Sequence, residues 1–244
     1  MRFSICIPTL NEEKYIGGIL GCLEKQTHKD FEAVIVDGGS EDKTEDEVMK
    51  FSDKYPISFI KSPERGVSFQ RNYAAKKSKN DYLIFFDADV MIENDFLERI
   101  NKVIEETSVD ILTTWNKPIS DRPVDEFIYL FMNIFMLEMI KKTNPGAIGV
   151  FICVKKSSFE KIGGFRENVN FGEDYDLAKR LHESGFTYTL LKNPKVHVSV
   201  RRFDKEGRLN VILKNLRAGS YFLVDKKHYI DKIQGKFKHE FGDF

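Results

Sequence analysis

Cysteine is scarce in this chain of 244 residues: there are three, Cys6, Cys22 and Cys153. None belongs to a CxxC pair, each lies in an apolar segment, and an odd number gives no complete disulfide framework, which argues against zinc or dithiol chemistry. Buried, reduced thiols of a cytoplasmic protein are expected. A surplus of one charge sign is also lacking, since 38 Lys+Arg balance 38 Asp+Glu. No global field draws the protein to polyanions, so nucleic acid is not an expected partner. The most apolar stretch, residues 127–140, is interrupted by Asn133 and Glu138 and is shorter than the roughly 20 residues a spanning helix needs. No charged leader with an apolar stretch and cleavage site precedes the strand-like Phe3-Ser4-Ile5-Cys6-Ile7, so export is not expected.

What the chain does have is alternation. With 41% hydrophobic residues it can bury one α/β core and is short for two domains. Short apolar runs alternate with amphipathic segments over about the first 110 residues, as βαβ units around a mainly parallel sheet require. A strand ends at Pro8, and Asn11 with Glu12 and Glu13 reads as the cap of a helix running to about Gln26. A strand from Phe31 to Val36 ends in Asp37-Gly38-Gly39-Ser40, where the glycines permit a tight turn before a helix near Asp42 to Lys54. A strand at Ile57 to Lys61, a helix at Val67 to Lys77 and a very apolar strand at Tyr82 to Phe86 follow. A helix from Asn94 to Glu106 and a strand near Asp110 to Trp115 close this half.

The second half breaks the alternation. It reads as an amphipathic segment from Val124 to Lys142, a turn at Asn144-Pro145-Gly146, a strand from Ile148 to Val154 and a loop at Gly163-Gly164-Phe165. A helix from Glu173 to Ser184 and a pair of short strands between Tyr188 and Val200, broken at Asn193-Pro194, complete it. The expected organisation is one domain over residues 1–205, with a nucleotide-binding half at 1–115 and an acceptor half at 116–205. Residues 206–244 are expected to form a helical extension rich in Lys and Arg.

The chemistry concentrates at strand ends. Ligands of open α/β sheets bind beyond the carboxyl ends of the strands, so Pro8-Thr9, Asp37 and Asp87-Ala88-Asp89 are expected to line one crevice. Two carboxylates on one short turn suit a hard cation that keeps waters and accepts phosphate oxygens, which points to Mg²⁺ or Mn²⁺ on Asp87 and Asp89. Without a cation or a basic group they would repel each other. Arg71, near the start of a helix, either reaches a phosphate as a planar multi-donor or is an ordinary surface arginine. Glu173 and Asp174 open another helix, where an ionised carboxylate takes a proton from an acceptor or simply complements the helix dipole. His197 is a candidate third metal ligand or a structural strand histidine. Arg201 and Arg202 are candidates for a pyrophosphate or for the acceptor side.

The order Pro8-Thr9-Leu10-Asn11-Glu12, Val36 to Ser40, Gly66 to Ala75, Asp87-Ala88-Asp89, Gly163-Gly164-Phe165 and Glu173-Asp174 resembles the family 2 glycosyltransferases over about the first 200 residues. The resemblance implies the GT-A fold and an inverting transfer from a nucleotide-sugar donor, such as a UDP- or GDP-sugar, in glycan, cell-surface polysaccharide or glycolipid synthesis. It implies that Pro8, Thr9, Glu12 and Asp37 hold the nucleoside, that Arg71 approaches the nucleotide, that Asp89 binds metal and that Asp174 is the catalytic base. Two departures stand out. Asp37 is followed by Gly where the family has a second acid. Arg201-Arg202-Phe203 is only loosely similar to the Gln-x-x-Arg-Trp motif of processive synthases, so a single-addition transferase is expected.

Two other activities share these residues. A polyprenyl-phosphate sugar transferase, similar to dolichol-phosphate mannose synthase, would use Arg201 and Arg202 for a lipid phosphate, and an inactive nucleotide-sugar-binding module would need no base. A nucleotidyltransferase would need a Gly-rich basic loop after the first strand, which Pro8-Thr9-Leu10-Asn11 does not offer. Residues 127–140 are more apolar than a surface helix requires. They read as core, as a dimer interface, or as a peripheral contact with the cytoplasmic membrane face that would suit a lipid-linked acceptor.

Overall fold

Residues of alternating orientation in the central strands feed two cores, one on each face of a single sheet. In the computed structural model, residues 1–139, 141, 146, 149–169, 172–214 and 216 are described. The strands are β1 (Phe3–Thr9), β2 (Phe31–Asp37), β3 (Ile57–Lys61), β4 (Tyr82–Phe86), β5 (Val90–Met91), β6 (Ile111–Ile119), β7 (Phe151–Lys155) and β8 (Tyr188–Ser199). They lie in the order β3-β2-β1-β4-β7-β6-β8-β5. β1 to β4 pair in parallel, β7 runs antiparallel to both β4 and β6, and β8 is parallel to β6.

The helices are α1 (Ile16–Glu24), α2 (Thr44–Met49), α3 (Val67–Lys77), α4 (Phe96–Thr107), α5 (Pro123–Met132), α6 (Lys156–Lys161), α7 (Glu173–Glu183) and α8 (Arg201–Glu206), with a π-helical turn at Asn133–Glu138. On one face Phe3, Ile5, Ile7, Ile84 and Phe86 pack with apolar residues of α1 and α4. On the other, Cys6, Val34, Val36, Leu83 and Phe85 pack with Ala74 and Ala75 of α3 and Leu177, Ala178 and Leu181 of α7. Each buried Ile, Leu or Phe contributes about 1.5–3 kcal/mol, which explains why strands covered on both sides read as unbroken apolar runs. The three cysteines are free and buried, as their apolar neighbours require.

Several expectations are corrected. Asn11 does not cap a helix: it takes a left-handed φ of 57°, its side chain accepts from the Glu41 amide, and α1 starts five residues later. Residues 188–199 form one strand, not two. The extra residues around Asn193-Pro194 are absorbed by a register shift, with Thr114 opposite Leu191 and Asn116 opposite Val196. The sheet is mainly parallel, as expected: the pairs among β1 to β4 and the β6–β8 pair run parallel, while β7 and β5 run antiparallel to their neighbours. β5, α6 and α8 carry no clear sequence signal. Of the expected turn, Asn144 and Pro145 lie outside the described residues, as do Ile140, Lys142, Ile148 and the extension from residue 217. Residues 208–214 are helical. Among the described residues no helix is long and apolar enough to cross a membrane.

Candidate active site

The site is assembled at the carboxyl ends of β1, β2 and β4 by polar side chains of α3. Gln70, fully buried, donates to the carbonyls of Thr9 at 2.9 Å and Val36 at 2.7 Å, pinning the tips of β1 and β2 together. A Cβ at Gly38 would come within 3.0 Å of the Gln70 amide oxygen, so the glycine there admits this side chain. Asn72 exchanges two hydrogen bonds of 2.9 Å with the backbone of Phe165, tying α3 to the Gly163-Gly164-Phe165 loop.

Arg71 is the centre of the arrangement and is only 1% exposed. Its guanidinium donates to Asp87 Oδ1 at 2.7 Å, Glu173 Oε1 at 2.9 Å and the Gly149 carbonyl at 3.0 Å, and it lies 5.3 Å from the Phe165 ring centroid. The surface reading of this arginine is therefore overturned. A buried guanidinium is tolerable because planar donors meet two carboxylates at once.

A second arginine performs the same service on the other side. Arg201 makes a bidentate pair with Glu12, at 2.7 and 2.8 Å, reaches Asp89 Oδ2 at 2.8 Å and stacks 4.4 Å from the Tyr15 ring centroid. Expected at a pyrophosphate or on the acceptor side, Arg201 is held by Glu12 and Asp89, because α8 follows β8 directly and turns its first residue inward. Burial pushes Glu12 up to about 7 against the pull of Arg201, while Glu12 and Asp89 hold the Arg201 guanidinium well above its ordinary value. The paired distances are those of a carboxylate with a guanidinium, and we assign Glu12 as ionised in this pair. Burial also raises Asp89, with Arg201 opposing and Asp87 adding to the rise.

Between the two arginines lies a cavity of about 230 Å³. Pro8, Glu12, Arg71, Asp87, Ala88, Asp89, Glu173, Arg201 and Arg202 all contribute to its wall, so most of the sequence-derived candidates meet in one place. Thr9 and Asp37 are not on that wall. Asp37, 2% exposed, accepts from Thr9 Oγ1 at 3.1 Å and from the amides of Gly39 at 3.0 Å and Ser40 at 2.9 Å, so its carboxylate is used to shape the β2 turn.

His197, the candidate third metal ligand, is not part of the cavity wall. Val198, its neighbour in β8, lines the cavity, and alternation along a strand turns His197 to the other face. Its charged neighbours there are Lys117, Glu93, Glu126 and Lys195, and burial, then Lys117, lowers its pKa.

Asp174, next to Glu173 in α7, is half-buried and is not part of the cavity wall. One of its oxygens lies 3.1 Å from where a Cβ on Gly149 would stand. Enclosure by protein, and then the charge of Glu173, push its carboxyl up to about 7. The third acid of the cluster, Asp176, is structural: fully buried, it binds Arg180 at 2.7 Å and Arg166 at 3.2 Å.

The donor set suits a metal that arrives with its ligand. Asp87 is 35% exposed and has one oxygen committed to Arg71, and Asp89 has one committed to Arg201. Among the described residues no three His, Cys, Asp or Glu side chains form a metal cage. Two carboxylates fit a hard cation whose remaining positions are filled by water and phosphate oxygens.

Gln70, Tyr15, Tyr129 and Asn133 escape a sequence reading. Tyr129 and Asn133 line the cavity, and Asn133 also clamps β6 through bonds of 3.0 and 2.8 Å with the backbone of Asn116. The one available hint was a polar Asn interrupting an apolar segment.

Comparison with known proteins gives a consistent result. Residues 4–163 match the model of the family described as glycosyl transferase family 2. An uncharacterized glycosyltransferase of Haemophilus influenzae is 27% identical over 237 residues, covering 95% of this chain and 78% of that protein. The Staphylococcus aureus poly(ribitol-phosphate) beta-N-acetylglucosaminyltransferase TarS is 32% identical over 133 residues, covering 53% of this chain but 23% of TarS. The crystal structure of TarS with UDP-GlcNAc superposes with a TM-score of 0.68 at 24% identity, covering 82% of this chain and 58% of that one. A mannosyltransferase of Pyrobaculum calidifontis, PcManGT, in complex with GDP-Man and Mn²⁺, superposes with a TM-score of 0.73 at 21% identity, covering 98% of this chain and 66% of that one. These likenesses place the fold in the GT-A class.

Proposed function

The chain belongs to glycosyl transferase family 2, and from that premise we propose that it moves a sugar from a nucleoside-diphosphate sugar to an acceptor, with inversion at the anomeric carbon, in cell-surface glycan synthesis. The observation that carries the reading is the single cavity walled by Pro8, Glu12, Asp87, Ala88, Asp89 and Glu173 and closed by Arg71 and Arg201. TarS acting on poly(ribitol-phosphate) supports the cell-surface assignment by analogy.

In this reading Pro8 and Glu12 border the nucleoside end, and Asp37 acts through the turn it shapes. Asp87 and Asp89 would hold Mg²⁺ or Mn²⁺ together with the diphosphate. The cation, when bound, supplies positive charge to the departing diphosphate. Arg201 and Arg202 offer further donors to the same anion. Arg71 holds the metal-binding turn and the start of α7 at a fixed separation. Asp174, with a pKa near neutrality, takes the proton of the acceptor hydroxyl as its oxygen attacks the anomeric carbon opposite the diphosphate. Glu173 is the less suitable base because its oxygen is held by the full charge of the Arg71 guanidinium, whereas Asp174 accepts from the neutral Tyr175 amide.

Thermal shift and donor hydrolysis with UDP-, GDP- and dTDP-sugars, each with Mn²⁺, with Mg²⁺ and with neither, test the proposal. Stabilisation by one nucleotide sugar, strengthened by metal and accompanied by slow hydrolysis, is expected. No response to any donor would leave a degenerate binding module as the better reading.

A further inference from the structure

Beside the cavity, α5 and the π-helical turn present a second concavity. Phe127, Phe131, Met132, Met136, Ile212 and Leu216 line a groove of about 230 Å³ in which every lining side chain is apolar. Phe127 is 68% exposed, and Leu130, Phe135 and Met139 nearby are exposed as well. Soluble proteins seldom leave so many large apolar side chains together without a partner for them.

The groove adjoins the cavity. Met132 lines both. Ile128, also in the groove, packs on Phe203 and Val211, which are themselves part of the cavity wall. One layer of side chains therefore separates the space assigned to the reacting groups from an apolar channel at the surface. Among the described residues, the lysines flanking the groove are paired, Lys117 with Glu126 and Lys141 with Glu138, and offer little to an anionic lipid surface.

We propose that this groove binds the apolar tail of the acceptor, so that the acceptor class is a lipid-linked molecule whose polar end enters the cavity. The inference rests on the reading of the cavity as a transferase site. The shared chemistry is an alkyl or isoprenoid chain bearing either a sugar hydroxyl or a phosphate.

Isothermal titration with decyl β-glucoside and decyl phosphate, below their micellar concentrations, against glucose and inorganic phosphate, measures the contribution of the tail for each polar end. At least one decyl probe is expected to bind about tenfold more tightly than its tail-free counterpart, the equivalent of roughly two buried methylenes. The preferred head distinguishes a glycolipid from a lipid phosphate. Phe131→Glu with Met136→Glu should abolish the advantage while leaving the thermal shift with UDP or GDP unchanged. Phe127→Ser, at the exposed rim, provides a second variant should the double substitution fail to fold.

Equal affinities with and without the tail overturn the proposal, as does a tail advantage that survives both variants. If tail preference is missing, a dimer that Phe127→Ser dissociates in sedimentation velocity assigns the face to a second copy. Flotation with phosphatidylcholine vesicles, again without tail preference, assigns it to a bilayer. A wild-type protein that responds to no nucleotide would instead overturn the transferase reading on which the inference rests.

Discussion

Arg71 and Glu173 stand 102 residues apart in the chain, yet their side chains meet at 2.9 Å. The same guanidinium holds Asp87 at 2.7 Å, so one buried cation couples the turn after β4 to the start of α7. Removing it strands two carboxylates, one of them 12% exposed. Loss of one partner of a buried pair costs about 3–5 kcal/mol. Arg71→Ala should show a loss of that order in urea unfolding. Arg71→Lys should recover only part of it, because an ammonium cannot reproduce the planar fork. A stability unchanged from the wild type would show that the pair is not intact in solution.

Asp174 gives a pH signature with a definite sign. Its folded-state carboxyl is raised from 3.8 to about 7, so the folded protein holds a proton that the unfolded chain has released. Stability from this group is present below about pH 4 and is lost as pH rises toward 7. Asp174→Asn should flatten the dependence of melting temperature on pH across that window. As a base Asp174 works only when deprotonated, so kcat/KM should fall on the acid side of about pH 7. Asp174→Asn should lower kcat by about 10²–10⁴ with donor affinity retained. A comparable loss of kcat in Glu173→Gln, with Asp174→Asn active, would move the base to Glu173.

Arg201 and a metal compete for the same carboxylate. In the free protein Asp89 Oδ2 is already paired at 2.8 Å, so Mn²⁺ alone should bind weakly, and more tightly once a nucleoside diphosphate offers Arg201 another anion. Electron paramagnetic resonance titration of Mn²⁺ reads this directly. Without nucleotide, Arg201→Gln should bind Mn²⁺ about tenfold more tightly than the wild type, the scale of one charge-assisted hydrogen bond. Unchanged or weaker Mn²⁺ binding in the variant would count against competition at Asp89.

These residues show where a sequence reading succeeds. β3, α3 and β4 have the bounds expected of them, because an unbroken apolar run ending in Asp, or a Gly before a helical period, is a purely local signal. The pairing of Glu12 with Arg201 spans 189 residues and depends on where the fold places the start of α8, which no local pattern records. Asn11 was ambiguous for a different reason: the short polar side chain that favours a helix cap also favours the left-handed conformation it adopts. His197 required the facing of β8, and the irregularity opposite Thr114 and Asn116 conceals that facing from anyone counting along the chain.

Gly164 tests the packing that supports the site. It has a φ of +69°, and a Cβ there would lie 2.6 Å from Asn72 Oδ1 and 3.0 Å from the Phe159 ring. Asn72 cannot retreat without giving up its bonds to Phe165, and Phe159 is packed against Phe85. Left-handed strain and overpacking therefore add, and Gly164→Ala should destabilise by about 1–3 kcal/mol in urea unfolding. Gly163, also left-handed with φ +77°, has open space at its Cβ position, so Gly163→Ala incurs the backbone term alone and should be the milder change. Equal losses at the two positions would mean that backbone strain, and not the contact with Asn72, governs this loop.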